Sequence, residues 1–199
     1  MSNAKCAVKP GSIIPFGGMD WIVLEADSEK ILVLAKESIG NIPFDKNESN
    51  DWKESSLKKY LNTDFLKKLD KGGAVLDNIV RTTFDLTADD GLDDYGTSDD
   101  LVGLLTVDQY RKHRRIIPNL DNWWWLITPY STEKNGYSDS VRRVLTDGTL
   151  SSYFAYHGIL GVRPALNLKS CILESVEVKL EQFTTTELLN ELVRRNNEQ

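Results

Sequence analysis

The sequence predicts an α+β fold with mixed, mainly antiparallel sheets, two or three short helices and a long loop region. Two β-rich runs separated by a turn near the start predict a hairpin. A stretch with apolar residues at helical spacing follows at residues 55–69, and an apolar run at residues 162–168 predicts a late strand. The chain has 199 residues, which is enough for one domain with a substantial core.

The N-terminal hairpin is predicted from residues 21–26 and 30–35, which the turn cluster Asp27-Ser28-Glu29 separates. Residues 12–16 form a further short β-rich run before it. Both hairpin runs have apolar residues at successive positions, which is typical of strands buried on both faces. We therefore expect the hairpin to lie centrally in its sheet.

Two helices side by side are predicted next. The first has Ser55 or Ser56 as its N-cap, and the second restarts at Thr63 and ends at Gly72-Gly73, because glycine tolerates left-handed backbone geometry. The residues with helical spacing in the two segments are Leu57, Tyr60, Leu61, Phe65, Leu66 and Leu69.

Residues 85–100 contain seven aspartates and no basic residue, which predicts a solvated loop. Calcium binding is the alternative, since hard cations prefer several carboxylate oxygens. The spacing of the aspartates does not match an EF-hand loop. The interpretation as a solvated loop is therefore preferred, and no metal and no cofactor are expected.

A short strand is predicted at residues 101–105, and Thr106 is predicted to cap a helix that continues through Ile117 and ends at Pro118. The basic run at residues 111–115 lies on this helix. Consecutive residues spread around a helix instead of forming one stripe, and the net charge of −6 opposes attraction to phosphate backbones. Nucleic acid is not expected as a partner.

The remaining predicted strands are the tryptophan-rich residues 123–127, the apolar residues 162–168 and the alternating residues 176–180, with mostly loop and short strand in between. In the tail, Thr184 and Glu187 form a capping box that precedes an amphipathic helix. We divide the chain into a domain at residues 1–182 and this helix at residues 183–199. The helix is expected to pack on the domain or to dock on a partner or a second copy of the chain.

The composition is that of a soluble globular protein, 40% apolar and 27% charged, and it contains no apolar run long enough to cross a membrane. No secretory signal is visible after Met1, so a cytoplasmic location is expected. The cysteines, Cys6 and Cys171, are too few for a disulfide framework and have no metal-ligand spacing.

Two motifs carry a resemblance to a known family. They are Trp124-Trp125-Leu126 followed by Thr128-Pro129, and Gly161-Val162-Arg163-Pro164-Ala165-Leu166. Together they resemble a bacterial and phage family of uncharacterised domains related to the C-type-lectin-like fold, over roughly residues 10–170. Arg163 precedes a proline and is therefore held extended, which aims its guanidinium at a carboxylate or an aromatic ring.

The resemblance implies a variable binding surface at about residues 130–157, before the final strand. Tyrosines there offer amphipathic contact area, and Asp139, Arg142, Arg143 and His157 offer polar contacts. The residues chosen as ligand-binding are Trp123, Tyr130, Tyr137, Asp139, Arg142, Tyr153, Tyr156 and His157. A structural role, in which the tyrosines pack on one another, is the alternative.

No catalytic residues are predicted. The sequence has no glycine-rich phosphate loop and no nucleophile elbow, and no motif links His113 or His157 to a cysteine. Sulfatase-activating oxidases share the wider fold, but their chemistry needs a cysteine pair near the C-terminal core. An undetected hydrolase or oxidase would lose turnover when Cys171 or His157 is substituted.

Two functional hypotheses remain. The first is a non-catalytic module, of phage or prophage origin, that binds a protein or a small ligand through its tyrosine- and tryptophan-rich loops. The second is an intracellular interaction protein, such as a phage factor acting on a host system, that contacts its partner through the C-terminal helix and the acidic surface.

Overall fold

The computed structural model describes residues 8–70, 73 and 75–172. Within them the strands are β1 (Ile13–Phe16), β2 (Met19–Ala26), β3 (Lys30–Ala35), β4 (Ile79–Val80), β5 (Thr82–Asp85), β6 (Thr97–Asp100), β7 (Trp124–Pro129), β8 (Ser140–Val144), β9 (Leu150–Phe154) and β10 (Ala165–Lys169). The helices are α1 (Ser56–Tyr60), a π-helical turn (Leu61–Phe65), α2 (Leu66–Leu69) and α3 (Val107–His113). Three short 3-10 turns lie at Trp52–Glu54, Leu76–Asn78 and Glu133–Asn135.

The largest sheet has the strand order β1-β2-β3-β10-β4, and its strand pairs are antiparallel. The predicted N-terminal hairpin is therefore confirmed, with Ile22 opposite Leu34 and both strands inside the sheet. Apolar side chains from β2 and β3 are buried in two separate hydrophobic clusters, which confirms the prediction of burial on both faces.

Two smaller antiparallel sheets complete the architecture. Strands β5 and β6 form a hairpin, and β7, β8 and β9 form a three-stranded meander. The α+β class with mainly antiparallel sheets is thus confirmed. The meander includes part of the region predicted as mostly loop and short strand.

The prediction of two separate helices is wrong. Ser55 caps α1, as expected, but α1, the π-helical turn and α2 follow one another without a break from Ser56 to Leu69. Thr63 does not act as a cap, because its hydroxyl donates to the Lys59 carbonyl one turn earlier (2.6 Å). The π-helical turn keeps the apolar side chains of both halves buried in one core.

The prediction of a solvated loop at residues 85–100 is also wrong at its ends, which belong to β5 and β6. Asp100 is buried and accepts hydrogen bonds from the Trp52 indole (3.0 Å) and the Ser98 hydroxyl (2.7 Å). Lys58 lies 3.6 Å from the same carboxylate. The acidic segment is thus anchored to the helical segment by a buried polar network.

Thr106 caps α3 through a complete capping box with Gln109, as predicted, but the helix ends at His113 instead of Ile117. Residues 101–105 form no strand; Gly103 makes only an isolated bridge to Ala165. The late strand is shifted towards the C-terminus, since β10 begins at Ala165.

Arg163 lies two residues before the start of β10. It is fully buried, and its guanidinium donates to the carbonyls of Ala35 (3.0 Å), Lys36 (2.8 Å) and Pro118 (3.2 Å). Its centre lies 5.0 Å from the Trp124 ring, so of the two predicted partners it contacts the aromatic ring. Burial lowers the pKa of Arg163 to about 10.

The strand predicted at residues 176–180, the helix at residues 183–199 and Cys6 lie outside the described residues. None of the helices in the described part of the chain has the length and apolar character needed to cross a membrane.

Candidate binding surface

The predicted ligand-binding residues fall into separate groups around the β7-β8-β9 meander. Arg142 and Arg143 are neighbours on β8, and successive side chains of a strand point to opposite faces. We call the group around Arg143 the aromatic cluster, which comprises Trp123, Arg143, Tyr153, Phe154, Tyr156 and His157. We call the other group the Arg142 cluster, which comprises Asp89, Arg111, Tyr130, Tyr137 and Arg142.

Arg143 lies between two aromatic rings. The centre of its guanidinium is 4.1 Å from the ring centre of Trp123 and 4.2 Å from that of Tyr153. Both distances are well within the range of cation–π attraction. The register of the meander supports this arrangement, since Arg143 pairs with Trp125 on β7 and with Ser151 on β9, two residues from Trp123 and Tyr153.

The charge on Arg143 is not compensated by an acceptor. The residue is only 8% exposed, and its Nε and Nη1 atoms are buried without a hydrogen-bond partner among the described residues. Burial lowers the pKa of the guanidinium. Leaving a buried donor unpaired costs about 1–3 kcal/mol, and more for a charged group. The attraction of the two rings offsets only part of this cost.

Aromatic rings continue from Tyr153 to the surface. His157 stacks on Tyr153 with 4.4 Å between ring centres and lies equally close to Tyr156. Phe154 stacks nearly parallel on Tyr156 at 5.7 Å. Phe154 and Tyr156 are 43% and 41% exposed, and Ile159, three residues after Tyr156, is 53% exposed. The cluster therefore combines a buried cation with an exposed apolar rim.

Backbone contacts between the two sequence motifs hold the cluster in place. The Gly161 N–H donates to the Trp123 carbonyl (2.7 Å), and the Trp125 N–H donates to the Gly161 carbonyl (3.1 Å). A Cβ atom at Gly161 would lie 2.7 Å from the Ser38 hydroxyl, so this approach requires glycine. The motifs thus meet beside Trp123, and they set its position.

The charge of Arg142 is paired, although its Nε is a buried donor without a hydrogen-bond partner among the described residues. Arg142 forms a close ion pair with Asp89, and Arg111 lies 3.6 Å from the same carboxylate. The Arg142 guanidinium also lies 5.6 Å from the Tyr130 ring, which contacts Tyr137 edge to face at 5.5 Å. This cluster presents exposed tyrosines but no unpaired charge of the kind seen at Arg143.

The loop that carries Tyr130 and Tyr137 is organised by Asn50, which is fully buried. The Asn50 amide nitrogen lies within 3.0 Å of the carbonyls of Ser131, Tyr137 and Ser140, and its oxygen accepts from the Tyr95 hydroxyl (2.8 Å). The predicted site residue Asp139 accepts from Ser140 through its side chain. These contacts favour a structural role for Asp139.

A cleft of about 470 Å³, which the sequence did not predict, separates the β5-β6 hairpin from α3. Asp85, Asp89, Asp108 and Arg111 line it together with several threonines. Arg111 pairs with both Asp89 and Asp108, so one cation faces the three carboxylates of the cleft. Among the described residues, no group of three or more histidine, cysteine or acidic side chains is placed to hold a metal ion.

The basic run on α3 does not form a single surface. Arg111 faces the cleft, whereas Lys112 and His113 both contact Glu25 on β2 at 2.7 Å. The hydrogen bond from Lys112 lowers the pKa of Glu25, with a further contribution from His113. The prediction that the whole run lies on the helix is wrong, because α3 ends at His113 and Arg114 and Arg115 follow it.

Sequence reasoning chose Arg142 as the ligand-binding arginine and did not choose Arg143 or Phe154. Arg143 was recognised only as a polar residue of the predicted surface. The missing information was the strand register, because only the pairing of β8 with β7 and β9 shows which arginine faces Trp123 and Tyr153.

Residues 99–170 match the model of a family described as "Domain of unknown function (DUF6273)". No curated protein and no solved structure matches the chain. The matched segment contains both sequence motifs and the whole aromatic cluster. Both motifs therefore lie in a segment that is similar to an uncharacterised domain family, over a shorter stretch than residues 10–170.

Proposed function

We propose that this protein is a non-catalytic binding module that recognises a protein or small ligand through the aromatic cluster. The observation that carries the proposal is Arg143, a buried cation held between Trp123 and Tyr153 without an acceptor. An arginine with a purely structural role is expected to resemble Arg163, which donates to three carbonyls. An unpaired cation beside exposed rings is instead suited to a partner that supplies the missing contacts.

The chemistry of the cluster favours binding over catalysis. Its polar groups are one guanidinium, two phenols and one imidazole, and the imidazole of His157 is stacked against Tyr153 and Tyr156. The His157 ring contacts the aromatic rings of Tyr153, Phe154 and Tyr156. Tyrosine, tryptophan and arginine are the residue types that dominate the energetics of protein interfaces.

The fold, the location and the domain division are part of the same proposal. The aromatic cluster lies between the tryptophan motif and β10, where the resemblance to the C-type-lectin-like fold places the binding surface. The chain would act in the cytoplasm, with a phage or prophage origin supported only by the motifs.

Truncation after Gln182 tests the division into residues 1–182 and a separate C-terminal helix, because an independent domain would keep its unfolding midpoint.

Chemical-shift mapping of the full chain with a library of small aromatic fragments tests the binding surface. The test variant is Phe154→Ala/Tyr156→Ala, and the matched control is Tyr130→Ala/Tyr137→Ala, which also removes two exposed, mutually packed rings. We expect fragments to shift the Trp123 indole resonance in the wild type and the control, and to lose this effect in the test variant. Fragments that bind only at the cleft or near Tyr130 would contradict the proposal, and so would the absence of both fragment and peptide binding at the aromatic cluster.

A further inference from the structure

We infer that the partner of the aromatic cluster is a protein segment that places an aspartate or glutamate carboxylate against Arg143 and apolar side chains against Phe154 and Tyr156. This inference rests on the proposed function and adds the chemistry of the ligand. The first observation is the charge of Arg143, whose buried Nε and Nη1 atoms have no hydrogen-bond partner among the described residues.

Arg143 differs from the other arginines that the described structure buries fully or in part. Arg142 pairs with Asp89, Arg114 donates to the carbonyls of Ile117 and Asp147, and Arg163 donates to three carbonyls. Arg143 has no such acceptor, although it is more than nine-tenths buried. A group outside the described residues can still supply an acceptor to the part of the guanidinium that is not enclosed, and for a cation an anion is the best acceptor.

The geometry selects a flat acceptor that approaches in the plane of the guanidinium. Trp123 and Tyr153 cover its two faces at 4.1 and 4.2 Å, so a new contact can reach only its edge. Nε and Nη1 are enclosed, so an incoming group can reach the guanidinium edge only at Nη2. A carboxylate accepts hydrogen bonds from a guanidinium edge in this coplanar arrangement.

A carboxylate fits this site better than a phosphate does. Phosphate groups in proteins are held by several cations or backbone N–H groups, whereas Arg143 is the one permanently charged residue of the aromatic cluster. The chain also carries a net charge of −6, which repels a dianion more strongly than a monoanion. The single positive charge of the Arg143 guanidinium is therefore matched by the single negative charge of one carboxylate.

The exposed rim favours a protein as the carrier of that carboxylate. Small-molecule sites are usually enclosed cavities, but Phe154, Tyr156 and Ile159 present side chains that are between 41% and 53% exposed. An exposed apolar rim around a buried arginine and tryptophan has the layout of a protein interface with a central anchor. Apolar side chains that flank an acidic residue would cover this rim.

Selection from a displayed library of random twelve-residue peptides against the full chain tests the inference. We expect the selected peptides to contain aspartate or glutamate next to aromatic or aliphatic residues. Replacing that glutamate with glutamine should weaken binding about tenfold or more, as expected for the loss of a hydrogen bond to a charged group. Arg143→Met should weaken binding to a similar extent.

Two further variants separate the role of Arg143 in binding from a role in folding. Arg143→Lys keeps the charge but loses the planar fork, so it should retain the fold and bind less tightly than the wild type. Arg142→Lys changes the neighbouring residue on the opposite face and should leave binding unchanged. Urea unfolding and amide spectra of each variant establish that the fold is retained.

The outcomes distinguish the inference from the proposed function. Suppose that the selected peptides require Phe154 and Tyr156 but bind equally well after their glutamate is replaced with glutamine. The inference of a carboxylate ligand would then be wrong, and the proposed binding function would be retained. Failure to select any peptide that requires the cluster, combined with binding of small aromatic acids there, would overturn the protein partner. If neither peptides nor fragments bind at the cluster, the proposed function fails as well.

Discussion

Asn50 is the residue on which the loop between β7 and β8 depends. Its amide faces the carbonyls of Ser131, Tyr137 and Ser140, and it is fully buried. Asn50→Asp would place an acceptor oxygen against these carbonyls, and we expect a loss of about 3 kcal/mol of unfolding free energy. Urea denaturation measures this loss. Asn47→Asp, on an exposed asparagine nearby, is the control, and equal effects of the two substitutions would contradict the role of Asn50.

Arg163 gives a second prediction at the scale of single residues. Lysine at this position keeps the positive charge, but one ammonium group cannot reproduce the fixed fork that reaches Ala35, Lys36 and Pro118. We expect Arg163→Lys to lower the unfolding free energy by about 2–4 kcal/mol. Chemical denaturation checks this value. A loss no larger than that of Arg115→Lys, on an exposed arginine, would show that the three bonds contribute little.

A comparison of Arg163 with Arg142 and Arg143 shows how much could be predicted from the sequence for single residues. The residue before a proline is held extended, so the fixed direction of Arg163 could be predicted locally, with a carboxylate or an aromatic ring as its partner; the structure shows the ring of Trp124. The difference between Arg142 and Arg143 could not, because it depends on the register of β8 against β7 and β9. A shift of one residue would exchange their environments.

At the scale of elements, α3 begins with the capping box of Thr106 and Gln109. The Thr106 hydroxyl accepts from the Gln109 N–H (3.1 Å), and the Gln109 side chain accepts from the Thr106 N–H (2.9 Å). Thr106→Ala should destabilise the protein by about 1 kcal/mol, whereas Thr106→Ser should retain most of the stability. Thermal and urea unfolding of both variants test this difference. Equal losses for alanine and serine would indicate that the methyl group, not the hydroxyl, is required.

The C-terminal end of α3 is attached to β2 through Glu25, which contacts Lys112 and His113. The hydrogen bond from Lys112 is the largest cause that holds the pKa of Glu25 below its ordinary value of 4.5, so this contact stabilises the folded state above that pH. The contribution is lost as the pH falls through the lowered pKa of the folded state. Because Glu25 is 44% exposed, it amounts to less than about 1 kcal/mol.

Glu25→Gln tests this attachment through the pH dependence of stability. The variant should be slightly less stable than the wild type at pH 7, and the two proteins should converge at pH values well below 4.5. Urea unfolding between pH 3 and pH 7 gives the comparison. A difference that stays constant over this range would assign the effect to packing instead of charge. Glu29→Gln, on an exposed carboxylate without an ion pair in the described structure, is the matched control.

Local signals predicted the elements well where the partners of an element were close in sequence. The turn at residues 27–29 and the cap at Thr106 are of this kind, and both are confirmed. Asp100, at the end of the acidic segment, was misread because its partners are Trp52 and Lys58, far away in the chain. Propensity rules treat a run of charged residues as exposed to solvent. They therefore cannot detect a buried polar network of this type.

At the scale of the whole molecule, the central sheet joins two hydrophobic clusters. Val33 belongs to the cluster on one face and Leu24 to the cluster on the other, and both are fully buried. Since β2 and β3 contribute to both clusters, neither cluster can lose its packing without loosening the strands that support the other. The described domain should therefore unfold as one cooperative unit.

Substitutions on the two faces test this cooperativity. Leu24→Ala should cost about 2–5 kcal/mol and Val33→Ala somewhat less, because each leaves a cavity in a fully buried cluster. In both variants the urea midpoints from tryptophan fluorescence and far-ultraviolet circular dichroism should shift together, since Trp52 and Trp125 lie in one cluster and Trp124 lies in the other. Midpoints that separate in only one variant would mean that its cluster unfolds independently. In that case the aromatic cluster would depend on the hydrophobic cluster that contains Trp125. Ligand binding by the aromatic cluster would then be lost when that hydrophobic cluster unfolds.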